Sequence, residues 1–96
     1  MLHLIFQASP ERAVIDRMAI GDAAVFLESG VLSILRQGRL ANVLEAKRAE
    51  LSFYALKEDM AIRGILVEEI AESIVVIDYA DLVQLTVEHP LIQSWT

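Results

Sequence analysis

The stretch IVVIDYADLVQLTVEHP, residues 74–90, changes its hydrophobic period halfway along, and this change decides the fold. Its first four residues, Ile74 to Ile77, are all apolar, which is typical of a central strand covered above and below in a parallel sheet. Beyond Asp78 the apolar residues recur at roughly helical spacing, at Tyr79, Leu82, Val83, Leu85 and Val87. Asp78 can accept hydrogen bonds from the free amides of a first helical turn, and the helix has to stop before Pro90. A strand that runs straight into a helix is half of a βαβ unit.

The same succession of strand and helix occurs in the preceding part of the chain. Strands are predicted over residues 2–6, 23–28 and 51–56. Helices are predicted over residues 10–20, as two short pieces within Val31 to Glu50, and from Lys57 to Gly64. We favour two pieces over one kinked helix because Gln37 and Gly38 suit a helix interior poorly. Residues 65–73 are expected to form a loop with one helical turn.

Two end effects complete this prediction. Ser9 is expected to cap the first helix, with Pro10 at its first position. The tail, residues 91–96, is expected either to add an edge strand or to dock Trp95 onto the sheet. The order of elements then predicts one α/β domain over residues 1–96. It is a three-layer, open, mostly parallel sheet of four to five strands with helices on both faces, flavodoxin-like in shape.

Charge and composition exclude several classes of function. Eight basic and fourteen acidic residues give a formal charge of −6, which argues against direct binding of a nucleic acid backbone. The apolar start, Met1 to Phe6, is too short for a signal peptide or membrane span. A cytoplasmic protein is therefore expected. Apolar residues make up 55% of the chain, which favours burial against another subunit, including a homo-oligomer when the protein is alone.

Nothing in the sequence indicates a cofactor or a metal site. There is no cysteine, which excludes disulfides, thiolate ligands and a cysteine nucleophile. The first strand is followed by QASPER, without the glycines of a nucleotide-binding turn or the acidic residue of a phospho-acceptor domain. His3 lies within a strand, where it should be packed and hydrogen-bonded. His89 lies at a helix end, where a cation is favourable, and neither histidine has a ligand partner at metal-site spacing.

No set of residues predicts catalysis. A Ser-His-Asp triad could be assembled from Ser29, His89 and Asp78, but no nucleophile-elbow motif supports it. Glu58 and Asp59 open a helix, where acidic side chains interact favourably with the helix dipole. We therefore predict no catalytic, cofactor-binding or metal-binding residue.

Several blocks of the chain resemble one protein family. They are Leu2-His3 with Ser9-Pro10, ESG at 28–30, YALKEDMAIRG at 54–64, IDYADLVQLTVEHP at 77–90, and Trp95 near the end. Over its whole length the chain is similar to the TusB/DsrH family. The resemblance implies a fold of the DsrE/F/H type. It also implies a place in a heterohexamer that contains two copies each of three related subunits and relays persulfide sulfur.

The resemblance also implies partners and two branches of function. The sister subunits would be TusC/DsrF-like and TusD/DsrE-like, and a TusE/DsrC-like sulfur carrier would dock on the complex. In the Tus branch the sulfur serves 2-thiolation of the tRNA wobble uridine, and in the Dsr branch it belongs to dissimilatory sulfur oxidation. A persulfide needs a thiolate, so this chain is expected to be a non-catalytic subunit. The lack of cysteine favours the tRNA branch.

Five residues are candidates for partner contacts: Glu58, Asp59, Arg63, Tyr79 and Trp95. The alternative is a stand-alone regulatory or small-ligand domain of flavodoxin-like shape. That alternative predicts a well-formed pocket at the carboxyl ends of the strands.

Overall fold

The computed structural model describes residues 1–96 and contains one five-stranded sheet in which every pair of neighbouring strands is parallel. The strands are β1 (Leu2–Ile5), β2 (Ala23–Phe26), β3 (Ser52–Leu56), β4 (Ile74–Ile77) and β5 (Ile92–Trp95). The α-helices are α1 (Arg12–Asp16), α2 (Ala41–Lys47), α3 (Lys57–Ile62) and α4 (Tyr79–Glu88). Two 3-10 helices span Glu28–Ser33 and Val67–Glu69. The strand order is β4-β3-β2-β1-β5, so the predicted parallel α/β fold is confirmed.

The two faces of the sheet are covered unequally. One face, called here the helix-rich face, packs against α1, α2, α3 and both connecting segments with 3-10 turns, and its core contains 17 buried residues. The other, called here the α4 face, is covered by α4 alone, and its core contains seven. All four residues of the central strand β2 are buried. Because strand side chains alternate, the α4 face has half the sheet's side chains but only one helix to cover them.

The position of β4 corrects the sequence prediction. Residues 74–77 were expected to form a central strand covered on both sides, but β4 lies at an edge and pairs only with β3. Val75 is 57% exposed. An apolar run indicates a strand without fixing its neighbours, since strand order is set by pairing between distant segments. Here α4 carries the chain from the β4 edge to the opposite edge, where β5 pairs with β1.

The start of α4 confirms the predicted cap. The Asp78 carboxylate accepts from the Asp81 amide (2.9 Å), and the Asp78 amide donates to the Asp81 carboxylate (3.2 Å). The hydrogen bond from the Asp81 amide is the largest contribution that lowers the pKa of Asp78. This reciprocal pair satisfies amides that the first turn leaves free. It fixes the point where β4 becomes α4.

The first helix is shorter than predicted. It spans Arg12–Asp16 instead of residues 10–20, and Ser9 does not cap it. The Ser9 hydroxyl instead accepts from the Arg39 guanidinium (2.9 Å), which also donates to the Pro10 carbonyl oxygen (2.7 Å). A side chain from a distant loop therefore replaces the local cap that the sequence suggested. Sequence spacing cannot reveal such a contact.

The other connections agree with the prediction in most parts. Two separate helical pieces with a turn at Gly38 between them are present, but the first is a 3-10 helix over Glu28–Ser33. It begins inside the predicted second strand, which ends at Phe26 instead of residue 28. The helix that opens at Lys57 and the single helical turn at 67–69 are both present. The tail forms the edge strand β5, and Trp95 packs against the core of the helix-rich face. Both outcomes expected of the tail therefore occur together.

Candidate interaction site

The carboxyl ends of the parallel strands are the usual position of a site in such a sheet. After β2 the chain makes a tight turn in which Glu28 has a φ of 51°, in the left-handed region. The Glu28 amide donates to the Asp59 carboxylate (2.6 Å), which lies in the first turn of α3 and is only 6% exposed. Two residues later, a Cβ at Gly30 would overlap the carbonyl oxygen of Ile5. Asp59 therefore holds the Glu28–Gly30 turn directly against the end of β1.

The five predicted contact residues do not form one cluster. Glu58 is half-buried, and one of its carboxylate oxygens is buried without a hydrogen-bond partner. Tyr79 is 55% exposed at the start of α4, two residues after the end of β4. Trp95 ends β5, three strand spacings from β3 in the sheet order. Arg63 is half-exposed just beyond α3. Tyr79 offers the most surface, whereas the buried Asp59 contributes by shaping the Glu28–Gly30 turn.

A chain of hydrogen bonds that starts at Trp95 connects three strands of the sheet. Trp95 Nε1 donates to His3 Nδ1 (3.1 Å), and His3 Nε2 lies 2.8 Å from an Asp22 carboxylate oxygen. Because an indole N–H can only donate, His3 Nδ1 is unprotonated and its proton is on Nε2. Asp22 also accepts from the Ala19 amide and the Met1 amino group, each at 3.0 Å. The expected packed, hydrogen-bonded His3 is thus present, and its role is to hold β5, β1 and the start of β2 together.

Asp22 makes the stability of the fold sensitive to acid. Burial raises its pKa, but the hydrogen bonds from His3 and Ala19 outweigh this effect and lower the pKa from 3.8 to about 2. A carboxylate with a depressed pKa in the folded state stabilises the protein above its unfolded pKa and loses that contribution as the pH falls through the folded pKa. The stabilisation is about 2 kcal/mol at neutral pH.

We therefore expect Asp22→Asn to be less stable than the unmodified chain by about 2 kcal/mol at pH 7, a difference that shrinks as the pH falls from about 4 to 2. Urea unfolding across this range measures the difference. Asp16→Asn, at an exposed carboxylate 3.5 Å from Arg12, is the matched control and should change little at any pH. Equal costs of Asp22→Asn at neutral and acid pH would contradict this role.

The α4 face carries a groove that sequence reasoning missed. It runs between α4 and the β4 edge and has a volume of about 320 Å³. Its lining consists of Tyr54, Val75, Val76 and Ile77 from the sheet and Asp81, Gln84, Leu85 and Glu88 from α4. Five strands about 4.8 Å apart span about 19 Å, whereas one helix is only about 10 Å across. A single helix therefore leaves part of this face uncovered.

The remaining surface gives little indication of a ligand. A depression beside the end of β1, lined by Gln7, Ser9, Trp95 and residues of α1, measures about 340 Å³ and is open to solvent. No three His, Asp or Glu side chains are grouped so that they could hold a metal ion. None of the helices is both long enough and apolar enough to cross a membrane.

Comparison with known proteins identifies relatives over the full length. The model of the DsrH-like protein family matches residues 6–91. The protein TusB of Pectobacterium carotovorum is 39% identical over 99 residues, which cover 99% of this chain and 100% of that protein. TusB of Escherichia coli K12 is 34% identical over 98 residues, with the same coverage.

A solved structure has the same fold at low sequence identity. It is MTH1491, a protein of unknown function from Methanobacterium thermoautotrophicum. The TM-score is 0.73 at 15% identity, over 98% of this chain and 96% of that one. At this identity the likeness concerns the fold alone.

Proposed function

Since the chain belongs to the TusB/DsrH family, we propose that it is a non-catalytic subunit of a cytoplasmic sulfur-relay complex. The complex would serve 2-thiolation of the tRNA wobble uridine. The observation that carries this proposal is the similarity to TusB proteins along the whole chain, with 39% identity to one of them over 99% of its residues. Similarity of this extent covers the strand ends and both edges of the sheet as well as the core.

The absence of a thiol supports a non-catalytic role. Relayed sulfur is carried as a persulfide on a cysteine thiolate, and these 96 residues contain no cysteine. Two carboxylates at the strand ends are also engaged internally. Asp59 binds the Glu28 amide, and Asp78 binds the Asp81 amide. The sulfur would therefore reside on a sister subunit, and this chain would contribute surface and shape.

The proposed partners are TusC/DsrF-like and TusD/DsrE-like sister subunits, with a TusE/DsrC-like carrier docking on their complex. We propose Tyr79, Glu58, Arg63 and Trp95 as contacts with these proteins, and Asp59 as the residue that shapes the neighbouring turn. The exposure of Tyr79, 55% in the isolated chain, supports this role. So does the unpartnered buried oxygen of Glu58, which a donor from a partner could satisfy.

Co-expression of the tagged chain with both sister subunits from the same genome tests the proposal. We expect one stable complex with all three proteins in equal amounts. Radiolabelled sulfur should be found on a sister's cysteine and pass to the carrier. The sister pair expressed without this chain is the control, and it should transfer sulfur less efficiently. A chain that remains separate from both sisters at micromolar concentration would refute the proposal.

Deletion of the gene distinguishes the two branches. In the tRNA branch, mass spectrometry of tRNA should show the loss of 2-thiouridine at the wobble position. If the complex forms and 2-thiouridine is unchanged, the DsrH-type role in sulfur oxidation is supported instead.

A further inference from the structure

The net charge of this protein is confined to the last third of the chain. Residues 1–63 contain eight acidic and eight basic residues, whereas residues 64–96 contain six acidic residues and no Lys or Arg. The six are Glu68, Glu69, Glu72, Asp78, Asp81 and Glu88. This segment forms the 3-10 helix at 67–69 and then β4, α4 and β5, which are the two edge strands and the only helix on the α4 face.

From β4 onward, the same segment exposes six large apolar side chains. Tyr79, Val83 and Val87 are spaced four residues apart on α4, so they form one stripe along the helix. They are 55%, 61% and 73% exposed. The set called here the α4 patch consists of Val75, Tyr79, Val83, Val87, Leu91 and Ile92, each at least 48% exposed. Val75 and Ile92 belong to it because their strand partners, Tyr54 and Leu2, point to the α4 face.

The charges around the α4 patch argue against a second copy of this chain as its cover. Two identical patches facing each other would bring Asp81 and Glu88 of both copies together, and Lys57, the basic residue that acts on this end of α4, lies beside Asp78. Such like-charge contacts destabilise an interface. The groove along α4 has an apolar floor that includes Val75 and a wall that includes Asp81 and Glu88. A Lys or Arg side chain fits this combination, because its apolar stem packs while its charged end meets a carboxylate.

We propose that the α4 patch is the docking surface for a different protein, whose contacting surface combines aliphatic side chains with Lys or Arg residues opposite Asp81 and Glu88. The chemistry of the patch defines this partner. Its identification as one of the sister subunits rests on the proposed function. Docking would also cover the part of the α4 face that a single helix leaves open.

The experiment co-expresses each variant with the two sister subunits, which serve as the probes. Urea unfolding of each isolated variant checks that it is folded. Val83→Asp combined with Val87→Asp introduces charge at two of the three positions of the stripe. It should raise the dissociation constant of the complex with the sister subunits roughly 30-fold or more, as the loss of a central interface contact does. Ile20→Asp, at an 80% exposed residue outside the α4 patch, is the matched control and should leave the affinity unchanged. Glu88→Lys should weaken binding mainly at low salt, because at about 0.5 M salt the electrostatic repulsion that it introduces is screened.

The outcomes separate the two proposals. A complex that forms equally well with the Val83 and Val87 variants overturns the α4 patch and leaves the proposed function standing. If even the unmodified chain binds neither sister, the proposed function fails and the docking proposal falls with it. A homodimer of the isolated chain that the same substitutions dissociate would show that a second copy covers the patch, which also overturns the proposal.

Discussion

Gly30→Ala is expected to remove a large part of the stability of this fold. A Cβ at this position would overlap the carbonyl oxygen of Ile5. This oxygen belongs to the backbone of β1, which is paired on both sides and cannot move as a flexible side chain could. An extra atom forced against a neighbour that cannot move costs about 3 kcal/mol, which is the upper end of the usual range for overpacking. The total stability of a small domain is only about 5–10 kcal/mol.

Urea unfolding of the isolated chain measures the loss, and Gly64→Ala is its control. Gly64 has a φ of 68°, but nothing lies within 4 Å of a Cβ placed there. Its substitution should therefore cost only the left-handed conformation, about 1 kcal/mol. Equal losses for the two variants would contradict the close approach of the Glu28–Gly30 turn to β1.

Phe53→Ala is expected to have an effect at least as large, and its neighbour in β3 provides an internal comparison. Phe53 is 2% exposed on the helix-rich face, and its ring centroid lies 6.4 Å from that of Phe26. Removing a buried phenyl ring costs about 3–5 kcal/mol. Tyr54 points to the opposite, α4 face and is only half-buried. Tyr54→Ala should cost about 1–2 kcal/mol, since less apolar area returns to water.

Unfolding of both variants in the isolated chain tests the unequal covering of the sheet. Similar losses at Phe53 and Tyr54 would mean that α4 covers its face as completely as the several helices cover the other. In a complex that uses the α4 patch, Tyr54→Ala should become more costly than in the isolated chain, while the cost of Phe53→Ala stays the same.

The local parts of this fold were predictable because they depend on neighbouring residues. Asp78 and Asp81 are three residues apart, and the change of period at Asp78 places a helix after a strand. The position of β4 at the edge was not predictable in this way. It depends on which strands pair across the sheet, and an apolar run of four residues is compatible with either position.

The residues at the strand ends show the same limit. Their location followed from the parallel order of the strands, but their orientation did not. The buried Asp59 carboxylate accepts a hydrogen bond from the Glu28 amide. Glu28 itself has a backbone conformation in the left-handed region, which residues other than glycine rarely adopt. No local preference in the sequence indicates this conformation at Glu28. Val83, Leu85 and Val87 are all apolar residues of the same helix. Leu85 is buried and the two valines are exposed because of how α4 packs on the sheet, which the helical pattern does not reveal.

The pairing of β1 has a consequence for the order in which the sheet forms. Leu2 pairs with Ala23 on one side and with Ile92 on the other, a loop roughly four times longer. Closing the longer loop costs about 1 kcal/mol more in chain entropy, and contacts between distant segments generally form late. β5 should therefore join last. Until then the apolar strand β1 has one open edge, and the time that β5 needs to arrive determines how long that edge can pair with another chain.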